Sequence, residues 1–407
     1  MKKQLSLGLA SLMMAGYASA GSGLYYVGSE PEKSLPLKWM IGLDAVYDTN
    51  VNPGSASKDD AFSLNPYVGL SVVSITPQTS WDVYARLGLI YYLDAPGSVD
   101  DVYGQSRIGA NVTHRFNDRL RFSSRNFISY ELEPDYSYGF ATSRQLSEYL
   151  YWQTDNSVGY RWSERFATYS GFVLSGLDYD DVPNSDRFSW SVYNQFRYQL
   201  SPQSVATLDY RYTETEADGL AEDSNDHYLL VGLEHRFSPN SIIIARGGAQ
   251  FRDVDGGDTS TNPFLEIATS TRVNEQFTVR GFARYSTESY DTAQVLGAAI
   301  YDFSERQTLR IGLSAEYALS PMFTVFSGVD YITSDYDSGK LQQGPLGSPP
   351  TEGGQGDQLI NAYIGLSVKF NDVLTGTASY NFTDSDSDFA QGDYTRSRFS
   401  VGVRAEF

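Results

Sequence analysis

Period-two alternation runs through almost the whole chain and leaves room for little besides antiparallel strands. Within Ser80–Asp94, Trp81, Val83, Ala85, Leu87, Leu89, Tyr91 and Leu93 share one face. Asp82, Tyr84, Arg86, Gly88, Ile90 and Tyr92 share the other. Gln307–Leu319 sets Leu309, Ile311, Leu313, Ala315 and Tyr317 against Thr308, Arg310, Gly312, Ser314 and Glu316. The connections alternate too. Tight polar turns fall near Thr76-Pro77, Asn117-Asp118, Ser163-Glu164, Ser201-Pro202, Ser238-Pro239, Asn274-Glu275, Ser320-Pro321 and Asn371-Asp372. Between them lie longer acidic loops rich in Gly and Ser, such as 49–60, 133–146, 215–225, 253–261 and 333–357. Eight tight turns join sixteen strands, and strands near Leu37–Asp48 and Tyr394–Phe407 bring the expected count to 18, with 16 as the alternative. An even count with both ends at the short turns suits a transmembrane barrel. A tilted strand needs about 9–11 residues to cross the hydrocarbon, and these segments supply them.

A soluble sandwich would alternate in the same way. Three observations favour a barrel: strand length with loop asymmetry, the placing of aromatics, and dense charge on the polar faces with almost none at mid-strand on the apolar faces. Trp39, Trp81, Phe116, Trp162, Phe166, Phe237, Phe277, Phe323 and Phe370 lie near the short turns. Tyr47, Tyr91, Tyr130, Tyr285, Tyr331 and Tyr380 lie toward the long loops. Two such rows match the girdles of the two membrane interfaces. The opposite phase would turn Asp82 and Arg86 to lipid, at roughly 2–4 kcal/mol for an arginine at the midplane. Thr154 and Asn156 interrupt the apolar face, which predicts a bulge or a contact between protomers there.

Composition removes other classes. The formal net charge is -20, so the chain repels phosphate backbones and no nucleic acid is expected as partner. With Cys 0 and His 3, a disulfide framework, a thiolate site and a histidine metal centre are all disfavoured, and no metal or cofactor is expected. At the start, Lys2 and Lys3, the apolar Leu5–Met14 run and Ala18-Ser19-Ala20 read as a signal peptide spanning 1–20, cleaved after Ala20. Residues 21–34 read as a short periplasmic segment and 35–407 as the barrel.

The closing SRFSVGVRAEF, ending at Phe407, resembles the C-terminal insertion signal of the outer-membrane porins of Gram-negative bacteria. The opening GLDAVYDTNVN, Gly42–Asn52, is similar to the first strand of the β-barrel porin 2 group. The resemblance implies an all-β, transmembrane, antiparallel up-and-down barrel with short periplasmic turns and long acidic extracellular loops. It implies the outer membrane as location, with outer-membrane lipid, lipopolysaccharide and the barrel assembly machinery as partners. Oligomeric state stays open, with a homotrimer considered.

The lumen-phase residues are the candidate site. Arg86, Arg107 and Arg125 fall on three consecutive strands, and Arg211, Arg246, Arg280, Arg284 and Arg310 form a second group. Facing carboxylates include Asp44, Asp209, Glu266 and Glu316. Such rows can set up a field across a constriction, or pair along the wall and only solvate it. Tyr84 and Tyr103, with Tyr67 and Phe127, would suit either a sugar-stacking track or packing beneath an infolded loop. The segment 289–305 is apolar for a loop and is the candidate constriction. The acidic long loops read as a solvated rim that could also hold Ca²⁺ or bridge to lipopolysaccharide. Ser224, Asp226 and His227 could imitate a hydrolase site, yet no G-x-S-x-G or H-E-x-x-H occurs and an enzyme is not expected. The leading expectation is a passive channel for small hydrophilic solutes or ions. A carbohydrate-linked channel (sugar facilitator or exopolysaccharide exporter) and a plugged structural or adhesive barrel are the alternatives.

Overall fold

A computed structural model describes residues 37–407 except 54–57, 98, 133–146, 181–185, 219–220, 258, 289–292, 304, 346–350, 352 and 390–391. The expected signal peptide with Ala20 and the 21–34 segment therefore lie outside the described residues, as do the 133–146 loop and parts of the 289–305 and 333–357 loops. In chain order the strands are β1 (Leu37–Asp48), β2 (Ala61–Ile75), β3 (Thr79–Tyr92), β4 (Val102–Arg115), β5 (Leu120–Glu131), β6 (Tyr149–Arg161) and β7 (Phe166–Tyr179). There follow β8 (Arg187–Ser201), β9 (Ser204–Ala217), β10 (Ser224–Ser238), β11 (Ser241–Val254), β12 (Ser260–Arg272), β13 (Phe277–Glu288) and β14 (Ala293–Leu296). The last are β15 (Ala299–Phe303), β16 (Arg306–Ala318), β17 (Phe323–Tyr336), β18 (Gly339–Gln343), β19 (Gln355–Lys369), β20 (Leu374–Ser387) and β21 (Tyr394–Glu406).

All but β14, β15 and β18 join one 18-stranded sheet, each strand antiparallel to its chain neighbour in the ring. The sheet closes on itself where β1 meets β21, from Met40 opposite Glu406 to Asp48 opposite Arg398. The last residue completes the seam. Trp39 N–H donates to the Phe407 carbonyl at 3.0 Å, and Phe407 N–H returns a bond to Trp39 at 2.8 Å. Closure removes every free edge, which a chain without water around its backbone requires.

The short turns form for local reasons. Asn117 Oδ1 accepts from the N–H groups of Arg119 and Leu120, and Asn371 Oδ1 accepts from those of Val373 and Leu374. Ser163 and Ser320 use their hydroxyls in the same way at their turns. Side chains that satisfy the backbone within two or three residues select these tight reversals.

The strands turn their apolar face outward. Val231, Val401, Phe237 and Phe407 are each more than 60% exposed. The same face runs through Ile41, Val68, Leu87, Ile108, Val158, Phe172, Leu208, Leu313 and Ile364 around the ring. Soluble proteins seldom leave so continuous an apolar belt to water. Trp39, Phe116, Trp162 and Phe370 border the belt at the short turns, and Tyr47 and Tyr91 border it at the long loops. A closed barrel with this exterior is a transmembrane β-barrel. The expected bulge at Thr154 and Asn156 is absent: β5, β6 and β7 pair there without a register shift.

The long-loop end is partly covered from within. β14 and β15 form a hairpin whose two-residue turn holds Gly297 at a φ of 65°, a conformation that costs glycine nothing. β18 adds a third strand to this hairpin. Phe303 and Tyr301 pack with Tyr336, a lumen-phase residue of β17, and with Phe389. One stretch of wall also leans inward. β12 and β13 stop pairing at Leu265 and Tyr285, whereas β13 and β16 continue to Glu288 and Arg306. Beyond that point Thr287 bonds twice to the side chain of Gln250 on β11, its N–H donating at 3.1 Å and its carbonyl accepting at 3.0 Å.

Candidate functional site

The inner wall is polar and charged, and its charges are organised by the register. Arg246 and Glu266 are direct neighbours across β11 and β12. Glu266 stands opposite Arg284, and Arg284 opposite Arg310, so one level of four adjacent strands carries three arginines and one glutamate. Arg246 lies 3.5 Å from Glu266. Arg310 is buried and bound twice by Glu288, at 2.8 and 2.7 Å. Arg306, also buried, lies 3.7 Å from the same carboxylate. Arg284 donates to Ser286 at 3.1 Å and sits over the Phe264 ring.

On the other side of the ring Arg107 forks onto Glu131 at 3.0 and 3.1 Å, and Arg125 pairs with Asp155. Arg86 lies 3.7 Å from Asp44, and its side chain keeps 38% of its exposure. Arg211 stacks 6.0 Å from the centre of the Tyr193 ring. Among the described residues neither Arg211 nor Arg280 takes an ion pair. Asp209 accepts from Gln195 and from Thr207. Glu316 faces Thr278 and Phe326 on its neighbours. Of these inward arginines Arg310 is locked in a buried pair, Arg107, Arg125 and Arg246 sit in part-buried pairs, and Arg86, loosely paired, and Arg211 and Arg280 keep charge toward the lumen.

The inward aromatics lie flat. Tyr84 is directly opposite Gly109 and Tyr67 directly opposite Gly42. In each pair the ring occupies the space a Cβ on the glycine would need. Phe282 with Gly312, Tyr363 with Gly328 and Tyr193 with Gly171 repeat the arrangement. A ring over a strand glycine restores the packing the missing side chain leaves out. Arg86 stacks on Tyr67 at 3.9 Å, which covers that ring's inner face. Tyr103 accepts at 2.8 Å from Asp100 N–H and meets Tyr92 edge-on. Phe127 meets Tyr151 edge-on at 5.4 Å. These four rings serve the wall and do not form a stacked row.

Asp226 and His227 point to opposite faces. Asp226 is buried inside against Arg252 at 3.0 Å, while His227 Nδ1 meets Tyr210 Oη at 3.0 Å on the outside. With Ser224 they do not converge on one point. His114 and His235 sit in the short-turn girdle, each edge-on to a phenylalanine, Phe116 and Phe237.

Sequence reasoning passed over three buried pairs. Arg197 forks onto Glu234 at 2.7 Å through both nitrogens, Arg252 holds Asp226, and Arg396 forks onto Asp48. Arg197, Arg252 and Arg396 share the inward phase of the arginines singled out above, so parity alone could have found them. Their burial could not be read from parity.

The exterior and the charged inner wall together define a β-barrel built around a polar lumen. No family model matches the chain, and no curated protein matches it. Solved structures resemble it at low identity. The OpdK structure of Pseudomonas aeruginosa with vanillate has a TM-score of 0.48 and 12% identity, covering 91% of this chain and 99% of that one. OccAB4 of Acinetobacter baumannii has a TM-score of 0.43 and 14% identity, covering 92% and 99%. The siderophore receptor PirA of Pseudomonas aeruginosa has a TM-score of 0.44 and 9% identity, covering 93% and 81%.

Proposed function

We propose that the protein is a porin of the Gram-negative outer membrane, forming a passive aqueous channel for small hydrophilic solutes or ions. The observation that carries the reading is closure at 18 strands around an inner wall of arginines and carboxylates. Barrels of 16–18 strands enclose more space than wall side chains fill, and a charged wall holds water in it. Arg86, Arg211 and Arg280 supply positive charge inside, and the acidic loops supply negative charge at one rim. The hairpin of β14 and β15 narrows the long-loop end. No step needs a cofactor, and no catalysis is assigned. The acidic rim faces outward in this reading, where divalent ions bridge it to lipopolysaccharide. Phe407 serves as the signal read by the assembly machinery, and the segment 1–20 is removed after Ala20.

Liposome swelling tests the reading. Vesicles holding the refolded protein should swell in isosmotic solutions of small sugars and amino acids, faster for smaller solutes. Swelling no faster than in protein-free vesicles for every solute would count against a channel.

A further inference from the structure

The outer belt has one polar sector. Asn126, Thr154 and Asn156 share the outward phase of the exposed Ile128, Val158 and Phe172, and Asn194 shares that of Val192 and Phe196. All lie at mid-height, where the rest of the belt is apolar, small or hydroxyl-bearing. Among the described residues the outward mid-height asparagines are these three, and they fall on β5, β6 and β8, within four consecutive strands. They are wired together. Thr154 donates to Asn126 Oδ1 at 2.5 Å, Asn156 donates to Thr154 at 2.7 Å, and Asn126 donates to Ser124 at 2.9 Å. Beside them Asn194 donates to Ser170 at 2.7 Å.

The network is incomplete. Asn194 Oδ1 accepts no hydrogen bond but is buried, so the residue's open group toward the outside is on the amide nitrogen. Asn156 Oδ1 accepts none among the described residues. The amides of Asn156 and Asn194 each keep a second N–H, whereas Asn126 spends both of its own, on Ser124 Oγ and on the Ala110 carbonyl. In hydrocarbon such groups have no water to turn to. Amides carry donors and acceptors side by side, so a patch of them is complementary to a copy of itself. A surface that matches itself meets its copy about a two-fold axis. Polar side chains of this kind join membrane-embedded segments by hydrogen bonds across the contact.

We infer that the β5–β8 face is an interface at which two copies of this chain pair within the membrane, Asn126, Thr154, Asn156 and Asn194 of one meeting the same residues of the other. The inference rests on the membrane reading above. It adds what lies beside this sector, which is a second barrel.

Because the chain has Cys 0, single cysteines give an unambiguous test in the intact membrane. Asn156→Cys and, as control, Ile364→Cys on the apolar face of β19 are treated with a flexible bis-maleimide in outer-membrane vesicles. Asn156→Cys should yield a species of twice the monomer mass, and Ile364→Cys should not. The combined variant Asn126→Leu, Thr154→Val, Asn156→Leu and Asn194→Leu should run as a monomer in mild detergent where the wild type runs as a dimer. Its folded state is checked by the faster gel mobility of the unheated barrel. No doubled species at Asn156→Cys, an equal yield at Ile364→Cys, a trimer mass, a product with a different protein or an unaltered dimer in the combined variant would each overturn the inference. Protein absent from the membrane fraction would instead refute the membrane reading.

Discussion

Arg86 and Arg107 stand directly opposite each other on β3 and β4, two like charges at one level of the inner wall. Direct like-charge neighbours destabilise a sheet. Here each turns away, Arg86 toward Asp44 on β1 and Arg107 onto Glu131 on β5. The two pairs differ in strength. Arg107 is half-buried in a forked contact, whereas Arg86 keeps a loose one and faces the lumen. Pairing thus holds Arg107 tightly and Arg86 only loosely on this wall.

Changing both arginines, Arg86→Glu with Arg107→Glu, should move ion preference toward cations by a few-fold. One charge about 10 Å away in water contributes roughly 0.4 kcal/mol, reduced further by salt. The reversal potential in a salt gradient reads the change. An unmoved reversal potential would show that these charges do not shape the path of ions.

Tyr84 and Gly109 offer a packing test. A side chain on Gly109 would collide with the ring opposite it. Gly109→Val should destabilise the barrel by about 1–3 kcal/mol, the usual range for overpacking. Adding Tyr84→Ala should restore much of the loss, because the collision is removed. Urea unfolding in lipid vesicles measures both, and equal stability of Gly109→Val and wild type would contradict the flat placement of the ring.

Most of the fold was legible because a membrane barrel writes its rule into every second residue. The eight short turns and the strand ends at Leu37, Asp48 and Tyr394 stand where alternation and turn residues put them. The inward phase of Arg86, Arg107, Arg125 and Arg246 follows from the same parity. What parity cannot carry is depth. Arg310 and Arg211 are in phase alike, yet one is sealed against Glu288 and the other is open, because β13 stays paired with β16 up to Glu288 after its pairing with β12 has ended. The flat rings of Tyr67 and Tyr84 were equally hidden, since they depend on which glycine the register sets opposite. Thr154 and Asn156 were visible as exceptions, and the hydrogen bond from Thr154 to Asn126 on the neighbouring strand needed the register.

Arg197 and Glu234 form a buried pair, with side chains 1% and 4% exposed. Removing one partner leaves a buried charge unmatched, at about 3–5 kcal/mol. Arg197→Met and Glu234→Leu should each reduce unfolding stability by that order, and the double variant should recover part of it. Additive losses in the double-mutant cycle would contradict a coupled pair.

Val401, 64% exposed on the outer face of β21, tests the exterior. Val401→Arg should weaken folding into bilayers by roughly 2–4 kcal/mol, the cost of a lipid-facing arginine near the midplane. Ser400→Arg on the inner face should cost much less. Equal effects at the two neighbouring positions would mean that the apolar face does not meet lipid.

Single-channel recording in planar bilayers bears most directly on the porin reading. The wild-type barrel should insert in discrete upward current steps, with conductance that rises with salt concentration and is close to linear in voltage. A barrel shown to be folded and inserted by its unheated gel mobility, yet passing no current above the bare bilayer at any salt or voltage, would contradict it.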